Sequence, residues 1–288
     1  MTAQRFGGNW SLLKIQAVAD YLSRFNTALS KQSFRRIYID AFAGSGDFAF
    51  DAEEMGTLFD SIAAKENHAG SAQRALQTTP PFHEHFFIEM DRRNVESLRD
   101  LVSRTSPSEK VEILVGDANS EVIRICEKAD WSSTRGVIFL DPFGNQVNWS
   151  TLEAISRTKL DVWYLFPLSG VFRNAPHDQS KLTEDKRASI SRIVGTDEWE
   201  RRFYDAAPST IDMFDAAGIS ARRSMNVDGI EAFMTDRLRS IFPMVEGPRR
   251  LLTANKAPLF SLYFAMANKS VAAHKIARPI VKHILRSI

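Results

Sequence analysis

The sequence predicts a doubly wound α/β fold: a mostly parallel sheet with helices on both faces and an antiparallel last strand. Short β-branched and aromatic runs alternate with amphipathic helical stretches as far as residue 166. Several of those runs end in glycine or an acidic residue, at the strand ends where such sheets hold ligands. Two apolar runs near the C-terminus are separated only by a tight turn, which suits antiparallel strands.

In chain order, residues 10–25 read as an amphipathic helix with Leu12, Ile15, Ala19 and Leu22 on one face. Residues 36–43 are a buried strand feeding the turn Gly44-Ser45-Gly46. Residues 47–69 carry many Asp and Glu without sustained period and read as an inserted loop or lid. Gly70-Ser71 caps a short helix at 72–76. A second strand spans 85–89, and a helix at 91–102 lines up Val95, Leu98, Leu101 and Val102. The third strand, 111–115, closes at Gly116-Asp117 before a helix at 120–129. A fourth strand (136–140), a helix (149–158) and a fifth strand (160–166) complete the parallel series, joined by right-handed crossovers. Beyond Pro167 the pattern loosens. Residues 180–207 read as charged and helical, holding Trp199, Phe203 and Tyr204, and 229–242 as a clearer helix. Runs at 249–253 and 258–267 form the closing antiparallel pair. The chain, 1–288, reads as one domain with helical insertions at about 47–69 and 168–227.

Hydrophobic residues make up 44% and charged residues 25% of the chain, ordinary globular usage that excludes a disordered protein. With 37 basic and 35 acidic side chains, the charge balance neither requires nor excludes nucleic acid. One cysteine, Cys126, excludes an internal disulfide and a Cys-rich metal site; on its predicted helix it reads as packing rather than nucleophile. His68, His83, His85 and His177 lack metal-ligand spacing, so no metal is expected. No apolar run approaches the ~20 residues needed to span a bilayer, and the first residues lack signal-peptide character; a cytoplasmic protein without membrane contact is expected.

Four strand ends would surround one crevice: Asp40 through Gly46, Glu89-Met90-Asp91, Gly116-Asp117-Ala118 and Asp141-Pro142-Phe143-Gly144. Each suits part of an adenosyl sulfonium, which points to S-adenosyl-L-methionine as cofactor. Gly44 and Gly46, flanking Ser45, let the backbone pass close to a ligand and adopt positive φ. Asp40 suits the ligand's ammonium or an ordered water. Glu89, with Met90 beside it, can accept two hydrogen bonds from ribose hydroxyls, and Asp117 one from the adenine amino group, with the Ala118 backbone near the ring. The faces of Phe42, Phe143 or Phe166 favour a sulfonium cation. The tetrapeptide closed by Gly144 carries the chemistry. A planar exocyclic amine is a poor nucleophile because its lone pair is delocalised. Asp141 and the Pro142 carbonyl can accept its N–H bonds and aim that lone pair, while Phe143 stacks on the ring.

Plainer readings stand beside these. Each acid can be a cap or a solvated turn residue. Lys14 is either a solvated helix lysine or one at the edge of substrate or cofactor, and Arg173 either a surface arginine or one that meets a phosphate or carboxylate. The cations Arg249, Arg250, Lys256, Lys275, Arg278, Lys282 and Arg286 read first as the wet side of closing elements, second as a basic surface. Gly44 to Ala49 also fits Gly-x-Gly-x-x-Ala, the dinucleotide fingerprint, although a polar insertion follows it where a helix should open. A nicotinamide oxidoreductase therefore stays as an alternative.

The runs Tyr38 to Gly46, Gly70-Ser71, Phe87 to Glu89, Gly116 to Ala118 and Phe139 to Gly144 together resemble the three-Cys-motif partner proteins (TcmP). Trp10 with Lys14 and Tyr21-Leu22, Asp161-Val-Trp163 with Phe166-Pro167 and Arg173, and residues 258–265 extend the likeness, which thins between Asn174 and Gly247. That resemblance implies a Rossmann-type, methyltransferase-like fold in a bacterial protein, encoded beside a three-cysteine-motif protein of a phage-associated type that would be its partner. Asp141 to Gly144 is also similar to the catalytic tetrapeptide of tRNA guanine-N2 dimethyltransferases and to the wider Asp-Pro-Pro-Tyr class, which methylates exocyclic amines of bases. Phe143 stands where that class has its second proline, and Gly144 where it has an aromatic. The resemblance implies N-methyl transfer to an exocyclic amino group, with a nucleobase in RNA or DNA as a candidate acceptor; the alternative is a cofactor-binding partner protein without transfer of its own.

Overall fold

In the computed structural model, which describes residues 4–5, 9–49, 68–105, 109–205 and 221–288, seven strands form the central sheet. They are β1 (Arg35–Asp40), β2 (Glu84–Glu89), β3 (Lys110–Val115), β4 (Thr134–Leu140), β5 (Leu160–Phe166), β6 (Met244–Leu252) and β7 (Pro258–Met266). Their spatial order is β3-β2-β1-β4-β5-β7-β6. The first five run parallel, and β7 lies antiparallel to both β5 and β6. This is a Rossmann-like, doubly wound fold: strand order reverses between β1 and β4, which opens a crevice at their carboxyl ends.

Period-two alternation sorts the strand side chains between two cores. Ile37, Ile39, Ile138, Leu140, Val162 and Tyr164 face one side; Tyr38, Val137, Phe139, Trp163 and Leu165 face the other. The helices are α1 (Asn9–Leu29), α2 (Ser71–Leu76), α3 (Arg92–Thr105), α4 (Ala118–Lys128), α5 (Trp149–Ser156), α6 (Leu168–Asn174), α7 (Glu184–Val194), α8 (Glu198–Phe203), α9 (Val227–Ile241) and α10 (Val271–Ser287). Residues of α1, α2, α3 and α10 pack on the Tyr38 side, and those of α4 to α9 on the Ile37 side.

Helix α1 matters most for the site. Its buried face is Lys14, Ala17, Val18, Tyr21, Leu22 and Phe25, with Ile15 alongside; of the positions read from the periodicity, Leu12 and Ala19 are only half-buried. The helix lies in the groove between α2 and α10, so its contact arc is wider than one stripe and centred elsewhere. Tyr21 fixes it to the sheet, edge-on to Trp163 (5.6 Å between ring centroids) and Phe264 (5.0 Å), with its hydroxyl donating to Asp161 Oδ2 at 2.6 Å.

Other expectations shift at their edges. α4 begins at Ala118 because Asp117 caps it. The helical stretch read at 180–207 is split: Gly195, at φ 71°, ends α7, and a Cβ there would lie 2.0 Å from the Trp149 ring. α6 follows β5 at once and opens the helical insertion expected at about 168–227. The insertion after Gly46 begins and ends as strands, Asp47–Ala49 and His68–Ala69, joined in a small sheet with Gln4–Arg5. Residues 50–67 and 206–220, which hold most of one expected insertion and part of the other, lie outside the described residues. Among the described residues no helix is long and apolar enough to cross a membrane.

Candidate active site

Two hollows meet at the carboxyl ends of β1, β2, β3 and β4. The first, about 220 Å³, is lined by Gly44, Ser45, Gly46, Asp141, Pro142, Phe143 and Gly144, with Trp10 and Lys14 from α1, Ser71 from α2 and Phe260 from β7. The second, about 530 Å³, is lined by Glu89, Met90, Asp91, Asp117, Ala118 and Asn119, and reaches Arg192 of α7. Phe42 and Phe143 line both, so the hollows adjoin at those two rings.

The glycine turn divides them. Gly44 and Gly46 have φ of 61° and 82°, and a Cβ on Gly46 would lie 2.6 Å from Leu101 Cδ2. After Gly46 the chain enters the strand Asp47–Ala49, and among the described residues the next helix begins at Ser71, with the Gly70 amide donating back to the Gly46 carbonyl at 3.2 Å. No helix N-terminus therefore follows the glycines directly, as a dinucleotide fingerprint requires.

Glu89 holds this turn from the neighbouring strand. Its Oε2 accepts from the Gly44 amide at 2.9 Å, and its Oε1 from the Met90 and Asp91 amides at 2.8 and 2.7 Å. A carboxylate offers about four acceptor positions, so roughly one is left for a ligand hydroxyl, against the two read from the sequence. Asp117 Oδ1 is engaged by the Ser120 amide and hydroxyl, both at 2.9 Å, as the cap of α4. Asp117 borders the second hollow beside Ala118.

Asp40 lines neither hollow. It is fully buried beneath the first one and accepts from the Phe42 amide (3.4 Å), the Tyr38 hydroxyl (3.3 Å) and Ser71. Burial pushes its carboxyl up to about 7; the hydrogen bonds oppose that rise and the nearby Asp141 charge adds to it. Its contacts are with the turn and Ser71, whereas the sequence reading gave it an ammonium or a water.

Asp141 continues the alternation of Val137 and Phe139 and so emerges on the α1 side. There Lys14 Nζ lies 2.5 Å from its Oδ2. Lys14 is 5% exposed, its ammonium 4.9 Å from the Trp10 ring centroid, and Trp10 in turn packs on Phe260 at 5.0 Å. The solvated-lysine reading is therefore corrected: a lysine four residues after Trp10 shares its helix face, and that face is turned into the crevice.

The loop after Asp141 is held by its own Gln146 and by Asn119 of α4. The Phe143 amide donates to Gln146 Oε1 at 2.9 Å, Gly144 turns at φ 69°, and Asn119 accepts from the Asn148 amide and Thr151 hydroxyl while donating to the Gln146 carbonyl. Phe143 is left 52% exposed at the junction of the hollows. Phe166, by contrast, is fully buried against Tyr164 and Tyr263 and reaches neither hollow, because its parity on β5 sends it into the opposite core. Arg173 is exposed on α6 and borders a shallow recess beyond Gly144. Cys126 is buried in a core, where burial pushes its thiol up to about 12.

The sequence reading did not assign Trp10, Ser71, Phe260, Asn119 or Arg192 to the site. Trp10 had a usable signal, its four-residue spacing from Lys14. Phe260 had a weaker one: an antiparallel β7 beside β5 starts at the end where β5 finishes.

No protein-family model matches the sequence and no curated protein matches it, so the likeness to the three-Cys-motif partner proteins rests on the motifs quoted above. Among solved structures the chain is similar to a Legionella pneumophila protein of family-model DUF519 (13% identity, 94% of this chain and 90% of that one, TM-score 0.48). It is also similar to an O-methyltransferase from Bacillus cereus in complex with SAH (12%, 86% and 80%, TM-score 0.40). A third is the O-methyltransferase TomG from Streptomyces achromogenes in complex with SAM (13%, 90% and 89%, TM-score 0.38).

Proposed function

We propose that the chain is an S-adenosylmethionine-dependent methyltransferase acting on an exocyclic amino group of a planar acceptor such as a nucleobase. The observation that carries this reading is that the two hollows adjoin at Phe42 and Phe143, with acceptor carboxylates in one and the Lys14–Asp141 pair in the other. The donor set fits the cofactor. Glu89 and Asp117 offer free acceptor positions to ribose and adenine groups, the glycine turn is open to a close approach, and Phe42 and Phe143 present rings at the junction.

When bound, the cofactor supplies a methyl group made electrophilic by its sulfonium. Asp141, with one oxygen committed to Lys14, keeps the other to accept an N–H of the acceptor amine, and the Pro142 carbonyl offers a second acceptor. The ion pair fixes the carboxylate's rotamer, so orientation costs nothing further at the moment of reaction. The same carboxylate stands ready to take the proton the nitrogen sheds on alkylation. Phe143 stacks on the acceptor ring and keeps it flat.

The test is calorimetry with S-adenosylmethionine and S-adenosylhomocysteine, followed by transfer of labelled methyl to total tRNA, DNA and protein by wild type and Asp141→Ala. Binding of the cofactor with labelling that disappears in Asp141→Ala is expected. Binding without labelling of any pool supports a second reading, favoured by the commitment of Asp141 Oδ2 to Lys14: a cofactor-binding partner of a three-cysteine-motif protein.

A further inference from the structure

We propose that the polar recess beyond Gly144 is a subsite for a backbone phosphodiester of a polynucleotide acceptor. The inference deepens the reading above, since it takes the first hollow as the place of the methylated base.

The recess, about 470 Å³ and open to solvent, is bordered by Asn145, Arg173, Asn174, Ser189 and Arg192, and no carboxylate lines it. Arg173 on α6 and Arg192 on α7 are both exposed, and among the described residues neither meets an acid. Arg192 donates one N–H to the Asn145 carbonyl at 3.3 Å, which holds its guanidinium at the rim and leaves the rest of its fork open. Arg187 on the same helix behaves differently: Glu184 and Glu200 both hold it, at 2.7 Å each. The chain thus neutralises one arginine of α7 and leaves bare the one that faces the site. Ser189 Oγ accepts from the side-chain amides of Asn145 (3.1 Å) and Asn174 (3.3 Å), so its own hydrogen remains to be donated. Two guanidiniums and a hydroxyl, with no competing acid, match the oxygens of a phosphodiester.

Position gives the source of that phosphate. Gly144 borders both the first hollow and the recess. A Cβ on Gly144 would meet nothing within 4 Å, so the passage between them is open at that residue. A nucleotide with its base against Phe143 has a route past Gly144 for its sugar, and its phosphate emerges where Arg173 and Arg192 stand. An acceptor without a phosphate would leave both arginines unused.

The experiment is fluorescence anisotropy with a short labelled single strand, in RNA and DNA versions, against wild type, Arg173→Gln and Arg173→Gln/Arg192→Gln. S-adenosylhomocysteine binding is measured in parallel on wild type and Arg173→Gln. The double variant is expected to bind a strand about tenfold more weakly. Its slope of log affinity against log salt should be shallower by about 0.7, the share of one phosphate contact on a single strand. Cofactor affinity in Arg173→Gln should not move, which also reports that the variant is folded. Equal affinity and slope in the double variant, no strand binding by wild type, or competition by inorganic phosphate as effective as by strand phosphate would each overturn the proposal. Strand binding that depends on the arginines in a protein that binds no cofactor would sink the methyltransferase reading and leave the phosphodiester subsite standing.

Discussion

Lys14 and Asp141 are joined at 2.5 Å across 127 positions of sequence, one from the first helix and the other from the tip of the fourth strand. The pair does two jobs. It clamps α1 over the crevice, and it supplies a carboxylate of fixed direction at the wall where the acceptor must lie. Lys14→Met breaks the first job without opening a cavity. It leaves a nearly buried carboxylate unpaired, which costs about 3–5 kcal/mol when the partner of a fully buried pair is removed and somewhat less here. Thermal unfolding should show the loss, and Lys14→Met/Asp141→Asn should recover part of it, because no charge is then left alone. Additive losses in the double variant would mean the two groups do not act on each other.

The turn between the hollows yields a contrast between two glycines. Both Gly46 and Gly144 have positive φ, so alanine is strained at either. Only at Gly46 does the new Cβ also strike a neighbour, Leu101 Cδ2 at 2.6 Å, whereas at Gly144 it meets open space. Gly144→Ala is expected to cost about 1 kcal/mol, the conformational share alone, and Gly46→Ala about 1–3 kcal/mol more, from overpacking against α3. Chemical denaturation of the two variants checks the difference. Equal losses would show that Leu101 moves aside freely.

Glu89 is where architecture and ligand binding share one side chain. Its carboxylate gathers the amides of Gly44, Met90 and Asp91. Glu89→Gln keeps one oxygen and replaces the other with a donor, so at least one of those amides loses its acceptor and the glycine turn loosens. The expected result is a fall of about ten- to a hundred-fold in affinity for S-adenosylhomocysteine, the worth of one charge-assisted hydrogen bond. Calorimetry is the measurement; unchanged affinity would show that Glu89 serves the turn only.

How far the sequence could be read follows from which interactions are local. β5 was legible to the residue, 160–166, because a strand covered on both faces is a continuous apolar run. The positive φ of Gly44 and Gly46 was legible because a strand that must stop for a ligand needs a residue without a Cβ. What failed was anything that depends on parity or on a distant partner. Phe166 looked like a site aromatic by its place at a strand tip, yet its position on β5 turns it into the other core. Lys14 gave no sign of burial, since the carboxylate that makes burial tolerable lies on another strand. Asp40 and Asp141 both looked like ligand acids, and only the packed structure puts one beneath the other.

The far end of α1 carries the last prediction. Two turns after Lys14, Tyr21 donates to Asp161 Oδ2 at 2.6 Å, and burial pushes the Asp161 carboxyl up from an ordinary 3.8 to about 7, opposed by that hydrogen bond and by the Arg135 charge. A carboxyl that binds its proton more tightly folded than unfolded stabilises the protein fully below the unfolded value, near 4, and that contribution is lost as pH rises toward and through about 7. Asp40, pushed up to about 7 in the same way, acts with the same sign. The stability these two carboxyls contribute should therefore fall between pH 5 and pH 8; His83 and His85, lowered by burial, act with the opposite sign, so the comparison of wild type with Asp161→Asn isolates the Asp161 share. Asp161→Asn is isosteric, still accepts from Tyr21 through its amide oxygen, and cannot ionise, so it should change little at pH 5 and melt higher than wild type at pH 8. In a chain of this size each kcal/mol recovered is worth about 2–4 °C. Parallel melting curves for wild type and Asp161→Asn across that range would show that Tyr21 and Arg135 together offset the burial of the charge.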